Sequence, residues 1–407
     1  MRELNPNSEE VSNEINISDE QNKEIFNDNN NMDIDEQNNN IIENKKGSIM
    51  KDKNENTIVE KKEQNINNKE TNVRINKKDI STPEIFIKII GKTCPKILEN
   101  YEIKECIGSG SESVCYKVIY KRTKKAYAMK LIVNDINKKR NINELCISNK
   151  IKHKNIITFY GVYEIKKNEL DCIIMEYAKF GNLKDFRKNV LKRDYLSEQL
   201  LCFLSFQILN GIRHCHKCKI AHFDLKPQNV IIDEFLNIKI IDFSVSVDYG
   251  KIKSNKIKLP FKGTNFYVAP EIIKSKIIDI KDLNKIDLYS FGVILYNLAF
   301  CSYPYDLNHK DCDNYDITYD KINNNELKFN NEDNCYSKYF TDFLTKLLEK
   351  DINKRININQ AFNDYWIQGA KILFDEKENV LNASSFLIYL MTDHYISFDK
   401  YINRDIN

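Results

Sequence analysis

The hydrophobic periodicity of this chain changes character near Gly181-Asn182-Leu183, and that change dictates a fold in two parts. Before it, Tyr101 to Val133 alternates apolar and polar residues across turn signals at Gly108-Ser109-Gly110 and Lys121 to Lys125, which is the pattern of consecutive antiparallel strands. Asn141 to Ile151 has helical spacing with Ile142, Leu145 and Cys146 on one side, while Ile156 to Tyr163 and Asp171 to Glu176 read as two further strands. After it, Ser197 to His216 is apolar on one face, Ile286 to Ala299 is apolar nearly all round, and Tyr339 to Glu349 is amphipathic. The expected architecture is α+β: a small antiparallel-sheet lobe with one helix, then a larger, mainly helical lobe, with a cleft between them.

Composition sets the limits of that folded part. From Met1 to Pro83 the chain is Asn, Lys, Glu and Asp with scattered Ile, and Phe26 is its sole aromatic, so it cannot bury enough apolar surface to offset ordering. Residues 1–83 are expected as a disordered Asn/Lys-rich tail, 84–100 as a linker, 101–367 as one domain, and 368–407 as an extension whose Phe386, Tyr389, Tyr395 and Phe398 point to a helix packed on the large lobe. Within the domain, the sheet lobe spans 101–175, a hinge 176–181 and the helical lobe 182–367. The 62 Lys and Arg against 59 Asp and Glu are interspersed and sum to +3, which gives no footprint for nucleic acid. No apolar run reaches the ~18 residues of a membrane span. No apolar leader follows Met1, so the eleven cysteines are expected as reduced thiols in a cytoplasmic, or alternatively nuclear, protein.

One stretch carries most of the chemistry. Residues 221 to 232 read Ala-His-Phe-Asp-Leu-Lys-Pro-Gln-Asn-Val-Ile-Ile, and Ile-Ile-Asp-Phe-Ser follows at 240 to 244. It contains Asp224, Lys226, Asn229 and Asp242, a charge set suited to phosphoryl transfer, where catalysis is mostly positioning and neutralisation of phosphate charge. The stretch resembles the catalytic loop and magnesium segment of the eukaryotic protein kinases, H-R-D-L-K-P-x-N followed by D-F-G, with Phe223 in place of Arg and Ser244 in place of Gly. Tyr127-Ala128-Met129-Lys130 resembles the family's V-A-I-K, His153-Lys154-Asn155-Ile156 its H-P-N-I, and Gly263 to Glu271 the end of its activation segment. The resemblance runs from about Tyr101 to Ile367 and implies a two-lobed kinase-like fold and a Ser/Thr protein kinase acting on a protein substrate with ATP and Mg2+.

It also implies roles. Asp224 is expected to take the proton of the substrate hydroxyl, Lys226 to neutralise the γ-phosphate, and Asn229 and Asp242 to hold magnesium. Lys130 is the expected partner of the α- and β-phosphates, with Glu144 as its ion partner. Gly108, Ser109, Gly110 and Ser113 form the loop over the phosphates, where absent side chains let backbone approach. Backbone groups of Glu176 and Ala178 are expected at the adenine edge, Met175 behind it, and Cys115, Ala128, Leu183 and Ile231 around the purine, although Leu183 and Ile231 read equally as packing. Glu271 is expected to pair with Arg355, and Asp287 to brace the catalytic loop from an apolar helix. His214-Cys215-His216-Lys217-Cys218 has the composition of a metal site, but consecutive helical residues point in different directions, so packing is the expected role.

The departures define the alternative. Glu112 sits at the tip of the phosphate loop, Ser148 replaces an apolar residue expected against Phe243, and Ser244 restricts backbone freedom where the family has Gly. These favour a pseudokinase, a nucleotide-binding scaffold or allosteric partner; the complete set Lys130, Glu144, Asp224, Asn229 and Asp242 favours a working enzyme. Phe223 also removes the Arg that binds a phosphorylated activation loop, and Pro260 stands at the usual acceptor position. Asn182, Gln228 and Asn297 occupy the three positions where Arg-directed kinases carry carboxylates.

Overall fold

In a computed structural model of the chain, the described residues are 82–110, 113–133, 144, 146–147, 150–166, 170–258, 265–275, 277–308, 310–311, 314–329, 336–371, 373–374 and 383–391. The expectations for the tail before residue 82, and those for Glu112, Ser148, Pro260, Gly263, Tyr395 and Phe398, lie outside them.

Residues 84–100, expected as a linker, instead form two helices, α1 (Pro83–Thr93) and α2 (Pro95–Asn100), each opened by a proline whose fixed φ suits a first helical turn. Phe86, Ile90 and Ile97 are fully buried, and the Phe86 ring stacks on Tyr116 at 5.4 Å. Burial of each such side chain is worth roughly 2 kcal/mol, which is why this segment orders. The four-residue spacing of Phe86 and Ile90 behind Pro83 was the signal for it.

What these helices cover is one face of a five-stranded antiparallel sheet of β1 (Tyr101–Ser109), β2 (Ser113–Tyr120), β3 (Ala126–Val133), β4 (Phe159–Lys166) and β5 (Leu170–Glu176), in the order β1-β2-β3-β5-β4. Alternation along β3 sends Met129 and Leu131 to that face, with Val114, Tyr116, Val118, Cys172 and Ile174. Ala128 and Lys130 therefore emerge on the opposite face, toward the large lobe. β4 begins three residues later than expected. Ile156 is drawn instead to the large lobe, where it bridges Ile240 and where the Ile157 N–H donates to the Ile240 carbonyl at 3.0 Å.

The large lobe is mainly helical. A short helix α3 (Leu183–Asp185) widens into a π turn over Phe186–Leu191. It is followed by α4 (Glu198–Lys217), α5 (Pro270–Ser275), α6 (Leu283–Phe300), α7 (Tyr315–Asn324), α8 (Lys338–Leu347), α9 (Ile358–Phe362), α10 (Tyr365–Gln368) and α11 (Ala383–Met391). Ser197 caps α4 and Ser337 caps α8, each accepting from a main-chain N–H of the first turn. As its all-round apolar pattern requires, α6 is buried along nearly its whole length. On α11, Phe386 meets Phe203 edge-on at 5.2 Å and Leu390 is buried, while the Ser197 hydroxyl donates to the Leu390 carbonyl. The extension thus docks on α4. No helix among the described residues is long and apolar enough to cross a membrane.

Between α4 and α5 lie short hairpins that carry the chemistry-bearing loop: β6 (Ile220–Ala221) with β9 (Val247–Asp248), and β7 (Val230–Ile232) with β8 (Ile238–Ile240).

Candidate active site

Lys130 is the point where the sheet lobe meets the site. Its ammonium lies 2.9 and 2.8 Å from the two carboxylate oxygens of Glu144. Burial disfavours the charged amine, but Glu144 and Asp242 outweigh it and hold Lys130 above its usual range. Glu144 and Ile147 are both buried and one turn apart, whereas Cys146, expected on the inward side, is exposed. The ion pair with Lys130 holds Glu144 on the inward side. Lys150, 98 residues from Asp248 in sequence, reaches both of its carboxylate oxygens at 2.9 and 2.8 Å, a tie that no local signal announces.

Gly108 lies opposite Cys115 in the β1–β2 ladder, and the Gly110 N–H donates to the Ser113 carbonyl at 2.9 Å, closing the loop that also contains Ser109. A Cβ at Gly108 or Gly110 would meet nothing in the protein closer than 3.5 Å. Packing against the described residues therefore does not demand glycine there. Cys115 pairs with Lys130 across β2 and β3, and burial pushes its thiol up to about 12, against the pull of Lys130.

Ala128 and Met175 lie opposite each other in the β3–β5 ladder. Beyond them the Glu176 N–H donates to the Thr158 carbonyl at 2.9 Å, so at the hinge Glu176 cannot offer its N–H to a ligand. The Glu176 carboxylate meets the Lys239 ammonium at 2.9 Å. Ala178 accepts from Gly181 N–H, and its own N–H has no partner among the described residues. Ile231 is partly exposed, but Leu183 is fully covered by protein. Leu183 therefore packs beneath the site and does not line it, because the first turn of α3, capped by the Asn182 side chain, points it into the core.

The loop from β6 to β7 is held from below by Asp287 of α6. This fully buried carboxylate accepts from the His222 N–H at 2.9 Å, the Phe223 N–H at 2.9 Å and His216 Nε2 at 2.8 Å. Burial raises its carboxyl pKa, and the His216 contact with the other donors overcomes this and holds it below the usual range. Phe223 is left-handed with φ +64°, a conformation that costs a non-glycine residue about 1–3 kcal/mol and persists only where neighbours impose it. Asp287 imposes it. His222 Nδ1 accepts from the Asp224 N–H at 3.2 Å while Nε2 faces the Ile241 carbonyl at 3.0 Å, which assigns the Nε2–H tautomer.

Asp224 receives Lys226 at 2.6 Å and Asn229 Nδ2 at 2.9 Å on the same oxygen, Oδ2. Its Oδ1 has no donor among the described residues, so one oxygen is anchored and the other is open to accept a proton. Asn229 Nδ2 also donates to the Asp224 carbonyl at 2.8 Å, and Asn229 Oδ1 has no donor among the described residues. Asp242 has φ +67°, accepts from the Ser244 hydroxyl at 2.7 Å on Oδ1, and has no donor on Oδ2 among the described residues. Burial raises its carboxyl pKa, and Lys130 and Ser244 reverse this and hold it below its usual range. The Ile241 N–H donates to the Asn229 carbonyl at 2.9 Å, so the residue before Asp242 is pinned to Asn229 across the hairpin. Two unpartnered oxygens, one charged, suit a hard divalent cation. Ser244 itself has no positive φ, so its side chain strains no backbone in this conformation.

The outlying expectations resolve in the same way. Glu271 and Arg355 form a two-pronged pair at 2.7 and 3.0 Å, with Arg355 buried over the Tyr289 ring. His214 stacks on His153 at 4.8 Å while His216 turns to Asp287, and no cluster of three or more His, Cys, Asp or Glu side chains placed to hold a metal occurs among the described residues. Asn297 accepts from the buried guanidinium of Arg187 through its carbonyl at 2.9 Å and its side-chain oxygen at 3.4 Å.

Comparison with known proteins agrees with this arrangement. Residues 101–367 match the family described as the protein kinase domain. The chain is 30% identical over 310 residues to death-associated protein kinase 2 of Homo sapiens, an overlap covering 72% of this chain and 78% of that one. The Mus musculus counterpart is 31% identical over 310 residues, with the same coverage of 72% and 78%. A serine/threonine-protein kinase H1 homolog of Danio rerio is 30% identical over 286 residues, covering 69% of this chain and 64% of that one.

Proposed function

This chain belongs to the protein kinase family and is a serine/threonine protein kinase, and on that premise we propose that it turns over magnesium-bound ATP and does not merely hold it as a scaffold. The observation that carries this is the division of labour on Asp224: Lys226 and Asn229 anchor Oδ2, and Oδ1 is left as the base. A protein scaffold has no need of that asymmetry. Asp224 Oδ1 takes the proton of the incoming serine or threonine hydroxyl as the oxygen attacks the γ-phosphorus. Lys226, already beside Asp224, offsets charge on the phosphoryl group in flight. Lys130, steadied by Glu144, neutralises the α- and β-phosphates under the Gly108–Ser113 loop. The Ala178 N–H and the Glu176 carbonyl meet the adenine edge, between Ala128 and Cys115 above and Ile231 below. Asn229 Oδ1 and Asp242 would hold magnesium, which when bound would draw charge from the phosphate oxygens.

The test is autophosphorylation with magnesium and ATP, comparing the wild-type chain with Asp224→Asn. Loss of transfer by at least about a hundredfold is expected, in line with the usual contribution of a positioned base. Equal incorporation by the two proteins overturns the proposal, and nucleotide binding without any transfer by the wild type marks a scaffold.

A further inference from the structure

We propose that Ser244 is a positioning residue for the metal-binding carboxylate of Asp242, its hydroxyl holding Oδ1 so that Oδ2 is presented to the ion. The inference rests on the reading of Asp242 as a metal ligand given above. The Ser244 hydroxyl donates to Asp242 Oδ1 at 2.7 Å, within the range for a hydrogen bond to a charged oxygen, and the Ser244 main-chain N–H approaches the same oxygen at 3.4 Å. Both interactions fall on one oxygen, and the other receives no hydrogen bond among the described residues.

The backbone makes this restraint necessary. Asp242 is held in the left-handed region at φ +67°, where a non-glycine residue stays only if its surroundings fix it. Its carboxylate also feels the Lys130 ammonium, which is itself paired with Glu144. Without the hydroxyl, the carboxylate is free to rotate about its own bond in that field. With it, one rotamer is selected by a donor two residues along the chain. Because Ser244 itself has no positive φ, its side chain causes no backbone strain, and the exchange of glycine for serine adds a donor beside the ligand. Partners that hydrogen-bond a ligating carboxylate commonly govern metal affinity by 10- to 100-fold.

The experiment titrates Mn2+, as the probe ion, into the full chain with a non-hydrolysable ATP analogue and follows free Mn2+ by electron paramagnetic resonance, for wild type, Ser244→Ala, Ser244→Gly and Ser244→Thr. Half-saturation by Mn2+ is expected to rise about tenfold or more in Ser244→Ala and Ser244→Gly. It should stay within about threefold of wild type in Ser244→Thr, which keeps the hydroxyl, and metal-free binding of the analogue should be the same in all four. Unchanged or tighter Mn2+ binding in both the alanine and glycine variants overturns the proposal, as does a fall in thermal stability that leaves Mn2+ affinity alone. If wild type binds the analogue but no Mn2+, it is the assignment of Asp242 that fails, and this inference with it.

Discussion

Replacing Asp287 by alanine should cost more stability than any surface change, and the size can be worked from its contacts. The carboxylate is fully buried and takes three donors at 2.8 to 2.9 Å, two of them the backbone N–H groups of His222 and Phe223. Truncation leaves those two N–H groups and His216 Nε2 unsatisfied in the interior, at about 1–3 kcal/mol for each orphaned donor. It also releases the left-handed Phe223, which recovers part of the loss by relaxing. A net loss of roughly 3–5 kcal/mol is expected, which for a domain of this size lowers Tm by roughly 10 °C. The folded carboxyl is held below its unfolded value of 3.8, so its contribution is fully present above about pH 4 and is lost as pH falls through the folded value. Calorimetric unfolding of wild type and Asp287→Ala at pH 7, repeated toward pH 3, should therefore show a large gap that narrows in acid. A difference below about 1 kcal/mol at pH 7, or a gap that widens in acid, refutes the idea that Asp287 holds the catalytic loop.

Three other outcomes follow from the same contacts. Phosphatase treatment should change the transfer rate by less than about threefold, well short of the tenfold that ~1.4 kcal/mol would give, because Phe223 offers no guanidinium and Asp248 already anchors its segment to Lys150; a larger loss in a kinetic assay counts against this. A positional peptide-library scan should show less than about tenfold enrichment of Arg two or three residues before the acceptor, since Asn297 already receives Arg187 of its own chain. Phe86→Ala should destabilise the protein by about 3–5 kcal/mol in a denaturant titration, whereas a true linker would tolerate it within about 0.5 kcal/mol.

Much of the site was legible because its residues are close in sequence. Asp224, Lys226 and Asn229 lie within one short loop and were assigned through its resemblance to a family motif, and the interior position of Asp287 followed from a helix apolar on every side. The pairing of Glu271 with Arg355 was legible only through the resemblance, as they are 84 residues apart. Contacts of similar reach without a family motif were not legible, such as Lys150 with Asp248 and Lys239 with Glu176. Boundaries failed where tertiary packing overrode local pattern. Ile156 has the residue type of a strand but is drawn into the large-lobe core, and residues 84–100, short and broken by Pro95, read as a linker until the sheet face of Met129 and Leu131 is seen to take Phe86, Ile90 and Ile97 as its cover. Leu183 read equally as cleft wall or as packing from its type alone, and helix geometry buries it.

The central claim, that the chain transfers phosphate and does not only bind nucleotide, is tested most directly in a single turnover. Purified chain loaded with substoichiometric γ-labelled ATP and magnesium is mixed with a generic protein substrate, and label on serine and threonine is counted against label still in nucleotide, for wild type and Asp242→Asn. Complete transfer of bound label to protein is expected for the wild type, and transfer at least about a hundredfold slower for the variant, equivalent to ~2.7 kcal/mol. Stoichiometric nucleotide binding by the wild type with the label remaining on ATP would contradict it.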